Sequence, residues 1–529
     1  MKIVDCFTFY NEIELLGYRL AVLDELVDYF VIVEATHTHA GYEKELYFEK
    51  NKEVFSKYLN KIIHVVVTDF QYIQPNIDFS KNEQWVNENH QRNCISRGIE
   101  TIELLDDDVI IVSDLDEILD PETLRKIKIN EIIITANSLK QDFYYYNLNS
   151  KINSQWIGSR ILTYQKINEL KIKYNDIRSS TFPVIPNGGW HLSYFGDSTF
   201  IQNKMINFAH QEFGEEIRNI KNIEQNLNNS IDPYNRNYQN IIKIKISDNE
   251  YLPPMYKELL NKFFKYKIAK HITFYYNEQR HSNISYLNRI IDSINSYGHN
   301  TDLFIHTNTS IDILQFLNKN NTGNIQQVTH DLTNINHWYL SWKCRDLLKA
   351  QKNDYDIFIQ SEDDVLIKKE SIEYWLNYKD RVMKYNYNLG FFIIEVSDTN
   401  IEYSVNIAVS KDGLQDGHLT KVITLDGKEY ALNNKNTHHC CWIYDKREFN
   451  RFVNSIYYDV NNIRGYGPCE SVAVGLHGLE TDWYTGTLIP IVKDTILESG
   501  SKIYHMPNKY WNMSNSGWNL VPFTDILKR

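Results

Sequence analysis

Residues 106–119 read DDDVIIVSDLDEIL, and residues 354–367 read DYDIFIQSEDDVLI. Each is a strand-like apolar run that ends, without a spacer, in three acids: Asp114, Asp116 and Glu117 in the first, Glu362, Asp363 and Asp364 in the second. Side chains alternate along an extended strand, so Asp114 and Asp116 face one way while Leu115 turns back to the packing. Two carboxylates a few ångströms apart repel by about 4 kcal/mol at an effective dielectric of about 20. A cation between them removes that cost. Hard oxygen donors suit Mg²⁺ or Mn²⁺, which usually take one or two carboxylates and complete the shell with substrate phosphates. The motif therefore points to a metal-bound diphosphate.

Upstream of the first run, strand and helix signals alternate. KIVDCFTF at 2–9, YFVIVEA at 29–35 and KIIHVVVTDF at 61–70 have strand character; EIELLGYRLAVLDEL at 12–26 and NEQWVNENHQRNCISRGIETI at 82–102 have helix periodicity. Asp120-Pro121 supplies an N-cap and a first-turn proline for the next helix. The stretch 246–270, ISDNEYLPPMYKELLNKFFKYKIAK, reads as a double proline followed by a basic helix. The series then restarts with HITFYYNE at 271–278, LNRIIDSINSYG at 287–298, TDLFIHTNT at 301–309, YLSWKCRDLLKAQK at 339–352 and IFIQSEDD at 357–364. TFYNE at 8–12 and FYYNE at 274–278 hold the same place after the first strand of each series. Two copies of one architecture, 1–267 and 268–529, explain length and repetition together. The expected fold class is α/β: two tandem Rossmann-like domains with mostly parallel sheets flanked by helices. Ligands of such sheets bind beyond the carboxyl ends of the strands, where both acid runs fall.

A formal net charge of −12 with no basic stripe argues against nucleic acid. Six cysteines, at 6, 94, 344, 440, 441 and 469, have no paired spacing and read as reduced thiols of a cytoplasmic protein. The chain opens directly on a strand, and no run of 18 apolar residues suggests a membrane span. Against the metal reading stands the plainer one, that acids after a strand are solvated loop residues or helix caps. An EF-hand fails, since no glycine sits at the sixth position. A dehalogenase-type phosphatase also uses an apolar run followed by D-x-D, but usually on its first strand.

The stretches DCFTFYNEIELLGYRL, VDYFVIVEATHTHAG, HQRNCISRGI, DDDVIIVSDLDEI and GGWHLSYFGD, in that order and with FAHQEF and YLPPMYKELL behind them, resemble the family-17 glycosyltransferases over about residues 1–266. The resemblance implies the nucleotide-diphospho-sugar transferase fold called GT-A, an inverting reaction, UDP-N-acetylglucosamine as donor and a divalent metal. It makes Asp114 and Asp116 the metal and diphosphate ligands and His191 a second metal contact, with a satisfied strand-end histidine as the alternative. Asn11, Glu12 and Glu34 fall where a base and ribose would lie. Gln91, Arg92 and Asn93 read as sugar and phosphate contacts or as a plain helix face, and Arg178 as a partner of the diphosphate. Members of the family with a protein N-glycan acceptor carry a membrane anchor that does not appear here.

The second half has the same order of parts as other GT-A enzymes. Glu362, Asp363 and Asp364 form its acidic motif, with Asp364 the principal metal ligand. Asn277 and Glu278 take the donor positions of Asn11 and Glu12. RGYGPCESVAVGLHGL resembles a segment that sets a catalytic acid at a helix start, which makes Glu470 the base or an ordinary helix-start acid. His505 of KIYHMPNKYW stands at the late metal-binding histidine. THHCC at 437–441 is a strand rather than a zinc site, with Trp442 free to stack on a sugar ring. In the first half, Glu212 of FAHQEF and Asp142 are both candidate bases. The expected activity is a bifunctional transfer from nucleotide sugars to a glycan acceptor. A single active first domain with a carbohydrate-binding second domain is the alternative.

Overall fold

A computed structural model of the chain describes residues 1–234, 236, 240–318, 323–438, 440–463, 483–512 and 517–528. The chain divides into two compact units, Met1–Phe264 and Lys265–Arg529. Among the described residues no helix is long and apolar enough to cross a membrane.

The first unit is built on β1 (Ile3–Phe9), β2 (Tyr29–Ala35), β3 (Ile62–Val67), β4 (Val109–Asp114), β5 (Glu117–Leu119), β6 (Ala136–Tyr145), β7 (Ser150–Ile152), β8 (Arg160–Thr163), β9 (Val184–Ser193) and β10 (Ile241–Lys243). These form one ten-stranded sheet in the order β10-β7-β6-β8-β4-β1-β2-β3, with β9 paired to β6 and β5. β3, β2, β1 and β4 are parallel to their neighbours, and β8 turns antiparallel against β4. The chain runs outward from β1 to β3 and crosses back to β4, so the strand order reverses between β1 and β4. That crevice is where open α/β sheets bind ligands. One face of the block packs Leu16, Leu20 and Leu23 of the helix Ile13–Leu23 against Phe7, Phe30 and Ile111. The other packs Val31, Val33 and Val112 against Ile95 and Ile99. Both faces are covered, so these strands read as continuous apolar runs rather than as alternation. Asp120 accepts from Glu122 N and Pro121 opens the helix Pro121–Lys128, as the sequence predicts.

The second unit repeats the block with β11 (Lys267–Phe274), β12 (Asn300–Thr307), β13 (Ile325–Thr329) and β14 (Ile357–Glu362) in the order β13-β12-β11-β14, followed by the antiparallel strand Cys441–Asp445. Thr8 pairs with Asp114 across β1 and β4, and Thr273 with Glu362 across β11 and β14. In each unit a short strand follows the acids, β5 in the first and β15 (Val365–Leu366) in the second. Each pairs antiparallel with the strand carrying the late histidine: Glu117 faces His191, and Val365 faces His505. The register makes Asp116 equivalent to Asp364, and Asp114 to Glu362.

Two expectations are corrected. Among the described residues, most pairings outside the four-strand blocks are antiparallel and the second unit has two further five-stranded sheets, so the sheets are mixed rather than mostly parallel. The basic helix expected before residue 270 is only the turn Tyr256–Leu259 and a 3-10 turn at Asn261–Phe263. KIAKHITF instead forms β11, because a central strand with both faces covered outweighs local helix propensity.

Candidate functional site

The acid motif of the first unit is held from beneath by Arg19. This side chain, on the helix Ile13–Leu23, is fully buried, and its Nε and Nη2 donate to both carboxylate oxygens of Asp5 on β1 at 2.8 and 2.6 Å. Its Nη1 donates to the carbonyls of Asp114, Leu115 and Glu117 at 2.9, 3.0 and 2.9 Å, and Nη2 reaches Ser113 Oγ at 2.6 Å. One buried guanidinium therefore sets the backbone path of the whole turn.

Above that turn lies a cleft of about 600 Å³ at the carboxyl ends of β1 and β4. Asp114 enters it between two guanidiniums: Arg92 donates to Oδ1 at 3.0 Å and Arg178 to Oδ2 at 2.6 Å. Burial alone would raise the Asp114 carboxyl pKa, but Arg178 and then Arg92 outweigh it and hold the group well below the usual carboxylate range. Asp116 meets Lys204 Nζ at 3.2 Å on Oδ2 and His191 Nε2 at 3.4 Å on Oδ1. Burial opposes ionisation here too, and Lys204 followed by His191 keeps Asp116 well below its ordinary value. Lys204 also reaches Glu12 at 3.0 Å, and these two carboxylates hold its pKa above the ordinary range against burial. His191 packs against the rings of Phe143 and Trp156, each 4.5 Å away and themselves in contact at 5.3 Å, and its buried Nδ1 has no hydrogen-bond partner. Glu117 does not enter the cleft: it accepts from Ser159 Oγ, Trp156 Nε1 and both Nη atoms of Arg178, and so aims that arginine at Asp114.

Residues 1–238 match the family model of glycosyltransferase family 17. The first unit is a family-17 glycosyltransferase domain. Its activity class is glycosyl transfer. No curated protein matches the chain. Among solved structures, a 4-diphosphocytidyl-2C-methyl-D-erythritol synthase is similar at 12% identity and a TM-score of 0.22, covering 35% of this chain and 88% of that one.

Of the residues the sequence singles out in the family-17 domain, Glu12, Gln91, Arg92, Asp114, Asp116, Arg178 and His191 line the cleft together. Gln91 does so while its amide donates to Val33 O at 2.8 Å and its Oε1 faces His39 Nε2, so it braces the wall. Asn11, Glu34, Asn93, Asp142 and Glu212 are not among the lining residues. Glu34 is buried beneath Lys44, His64 and the amides of Tyr47 and Phe48, which satisfy its carboxylate. Asn93 accepts from Asn175 N, Asn11 donates to Asn203, Asp142 pairs with Lys151 at 2.6 Å, and Glu212 faces His210 at 2.7 Å. Sequence reading missed Arg19, Lys204 and Glu88. Arg19 sits on the buried face of an amphipathic helix, where a charge was the available signal. Lys204, in the helix Ser198–Asn207, had none.

In the second unit Asp364 Oδ2 stands 3.4 Å from His505 Nε2, the same separation as Asp116 from His191. His505 Nδ1 faces Glu395 Oε1 at 2.5 Å, and Glu395 also accepts from the amides of Lys509, Tyr510 and Trp511. A carboxylate behind a histidine in this way fixes the ring with its other nitrogen toward a metal. Burial would lower the His505 pKa, but bonds to Asp364 and Glu395 raise it to about 9. Asp363 is buried, and Asn277 and Glu278 stand exposed after β11. Glu470 lies outside the described residues. Trp442 is fully buried, donating to Gln360 Oε1 at 2.8 Å and stacked on Phe449, so it does not stack on a sugar. Its strand is covered by the helix Lys446–Val453, which the local sequence did not reveal.

The donors fit a divalent cation unequally. Two protein ligands about 3 Å apart are neighbours around one Mg²⁺ or Mn²⁺ whose shell phosphates complete. Asp364 and His505 meet this, and buried Asp364 Oδ1 has no hydrogen-bond partner. Asp116 and His191 offer the same edge, with Lys204 already on the other oxygen of Asp116. Asp114 has both oxygens engaged by arginines, which leaves Asp116 with His191 as the pair suited to a metal.

Proposed function

We propose that the family-17 domain transfers a sugar, N-acetylglucosamine from UDP, to a glycan acceptor in a metal-dependent inverting reaction, and that the second unit performs a second transfer on the same glycan in the cytoplasm. The repeated Asp–His pair, Asp116 with His191 and Asp364 with His505, each at the carboxyl end of the fourth strand of the same block, supports this reading. A divalent cation bound at either pair supplies positive charge for the departing diphosphate. Around the first pair Arg92, Arg178 and Lys204 add fixed positive charge in a cleft partly closed from water, where it counts for more than in solution. The acceptor hydroxyl needs a carboxylate to take its proton as it attacks. Of the cleft carboxylates outside the acid motif, Glu12 is held by Lys204 and Glu88 by Arg92, each at 3.0 Å, and Glu88 is the more exposed, with 19% of its side chain open against 7%. Glu88 is our base for the first unit and Glu470 for the second.

A panel of UDP- and GDP-sugars with Mn²⁺ or chelator tests the reading. Release of nucleoside diphosphate should require the metal, with Asp116→Ala abolishing one linkage and Asp364→Ala the other. If every transfer survives Asp364→Ala unchanged, the second unit is a carbohydrate-binding copy. Phosphate release from a monoester, without nucleotide release, would replace transfer with the phosphatase reading.

A further inference from the structure

Three histidines cross the second unit side by side. His271 on β11, His306 on β12 and His330 just beyond β13 stack at ring separations of 5.1 Å. His271 Nδ1 faces His306 Nε2 at 2.9 Å, and His306 Nδ1 faces His330 Nε2 at 2.8 Å. At the inner end His271 Nε2 meets Gln351 Oε1 at 3.1 Å. Burial holds His271 near pKa 3 and His306 near 2, and burial followed by Lys343 lowers His330 below the ordinary histidine value, so all three rings are neutral above pH 7. A neutral imidazole has one N–H, and each ring-to-ring contact needs one. The row therefore has only two arrangements, and the carbonyl of Gln351 selects between them. Because Gln351 Oε1 accepts, His271 carries its proton on Nε2, and so in turn do His306 and His330. His330 is left with a bare Nδ1.

His330 lines a cleft with Tyr275, Asn308 and His337 at the carboxyl ends of β11, β12 and β13. Tyr275 lies against His337 at 4.8 Å, and His337 against Trp338 at 4.9 Å, which makes an aromatic shelf. The amide of Asn308 is used on both sides by the backbone of Tyr276, so it shapes the cleft without offering a free group. β14, which ends in Glu362 and leads to Asp364, is the next strand beyond β11. An aromatic shelf and the His330 acceptor, in a cleft that the Asp331 carboxylate also lines and that lies beside a diphosphate-type acid motif, have the features of a nucleobase seat.

We propose that this cleft binds the base of a nucleotide donor, one with a ring N–H such as uracil or guanine, between Tyr275 and the Nδ1 acceptor of His330, and that Gln351 sets that acceptor through His306 and His271. This rests on the second unit being a nucleotide-sugar enzyme. The test is calorimetric titration of the full chain with UDP, GDP and their ring-N-methylated forms in the presence of Mn²⁺. One binding equivalent should vanish in Tyr275→Ala, and that equivalent should weaken at least tenfold on ring methylation. Gln351→Glu keeps an acceptor and should leave it unchanged. Gln351→Lys offers only donors and should weaken it at least tenfold, while ¹⁵N-histidine solid-state NMR shows His330 Nδ1 becoming protonated. Gln351 is only partly buried, so both variants should fold. A Tyr275-dependent equivalent insensitive to methylation and to Gln351→Lys would overturn this inference alone. Absence of any Tyr275-dependent equivalent would overturn the nucleotide reading of the second unit itself.

Discussion

Replacing Arg19 with methionine should destabilise the first unit by at least about 4 kcal/mol. Asp5 and Arg19 are both fully buried, and their bidentate pair has no water to replace either partner. Removing one member of such a pair typically costs about 3–5 kcal/mol, because an uncompensated charge stays behind. The carbonyls of Asp114, Leu115 and Glu117 lose their donor in the same change, so about 4 kcal/mol is the floor of the expected loss. Hydrogen exchange read by mass spectrometry on peptides from β1 and β4 reports this directly. About 4 kcal/mol corresponds to a loss of protection of roughly a thousandfold. Asp5→Asn combined with Arg19→Met removes the stranded charge and should recover at least about 2 kcal/mol relative to Arg19→Met alone. Arg19→Lys keeps the charge but not the fork, so it should be the milder change in stability while still loosening the acid turn. A loss of protection under tenfold in Arg19→Met, or no recovery in the double variant, would refute the view that this guanidinium supports the motif.

Gly158→Ala should lower donor affinity of the family-17 domain at least tenfold by calorimetry, since its Cβ would fall 2.1 Å from Glu117 Oε1 and Trp156 Nε1 and 2.7 Å from Arg178 Nη1. Glu395→Gln should weaken Mn²⁺ binding at the second unit by about 10- to 100-fold, read by electron paramagnetic resonance of free Mn²⁺, with the family-17 domain unaffected. Glu448, which caps the helix Lys446–Val453, is pushed up to about pH 7 by burial and then by Asp445, with Lys379 opposing. A raised carboxyl pKa favours the folded state when protonated, so this contribution is whole below about pH 4.5 and lost as pH rises through 7, up to about 3 kcal/mol in all. The urea midpoint of the second unit should fall between pH 5 and pH 8 by this contribution, and Glu448→Gln should flatten it.

What the sequence by itself determined is local and periodic. Apolar runs of strand length, the Asp120-Pro121 helix start and the alternation that turns Asp114 and Asp116 to one side are properties of neighbours in the chain, and short-range sterics and hydrogen bonding settle them. The restart of the pattern near residue 270 was legible for the same reason, as was the acid motif's place at a strand end. Partners far along the chain were not. Lys204 reaches Asp116 across 88 residues, Glu395 reaches His505 across 110, and nothing near either residue records the pairing. Trp442 carries the same lesson: the strand expected at 437–441 begins only at Cys441, and the helix that buries Trp442 is a fact of packing. Periodicity tells which face a side chain occupies; only the crossovers and the closing of the sheets decide what stands opposite. The charge balance around Asp114 and Asp116, two acids on paper and a neutralised cluster in space, was therefore decided by tertiary structure alone.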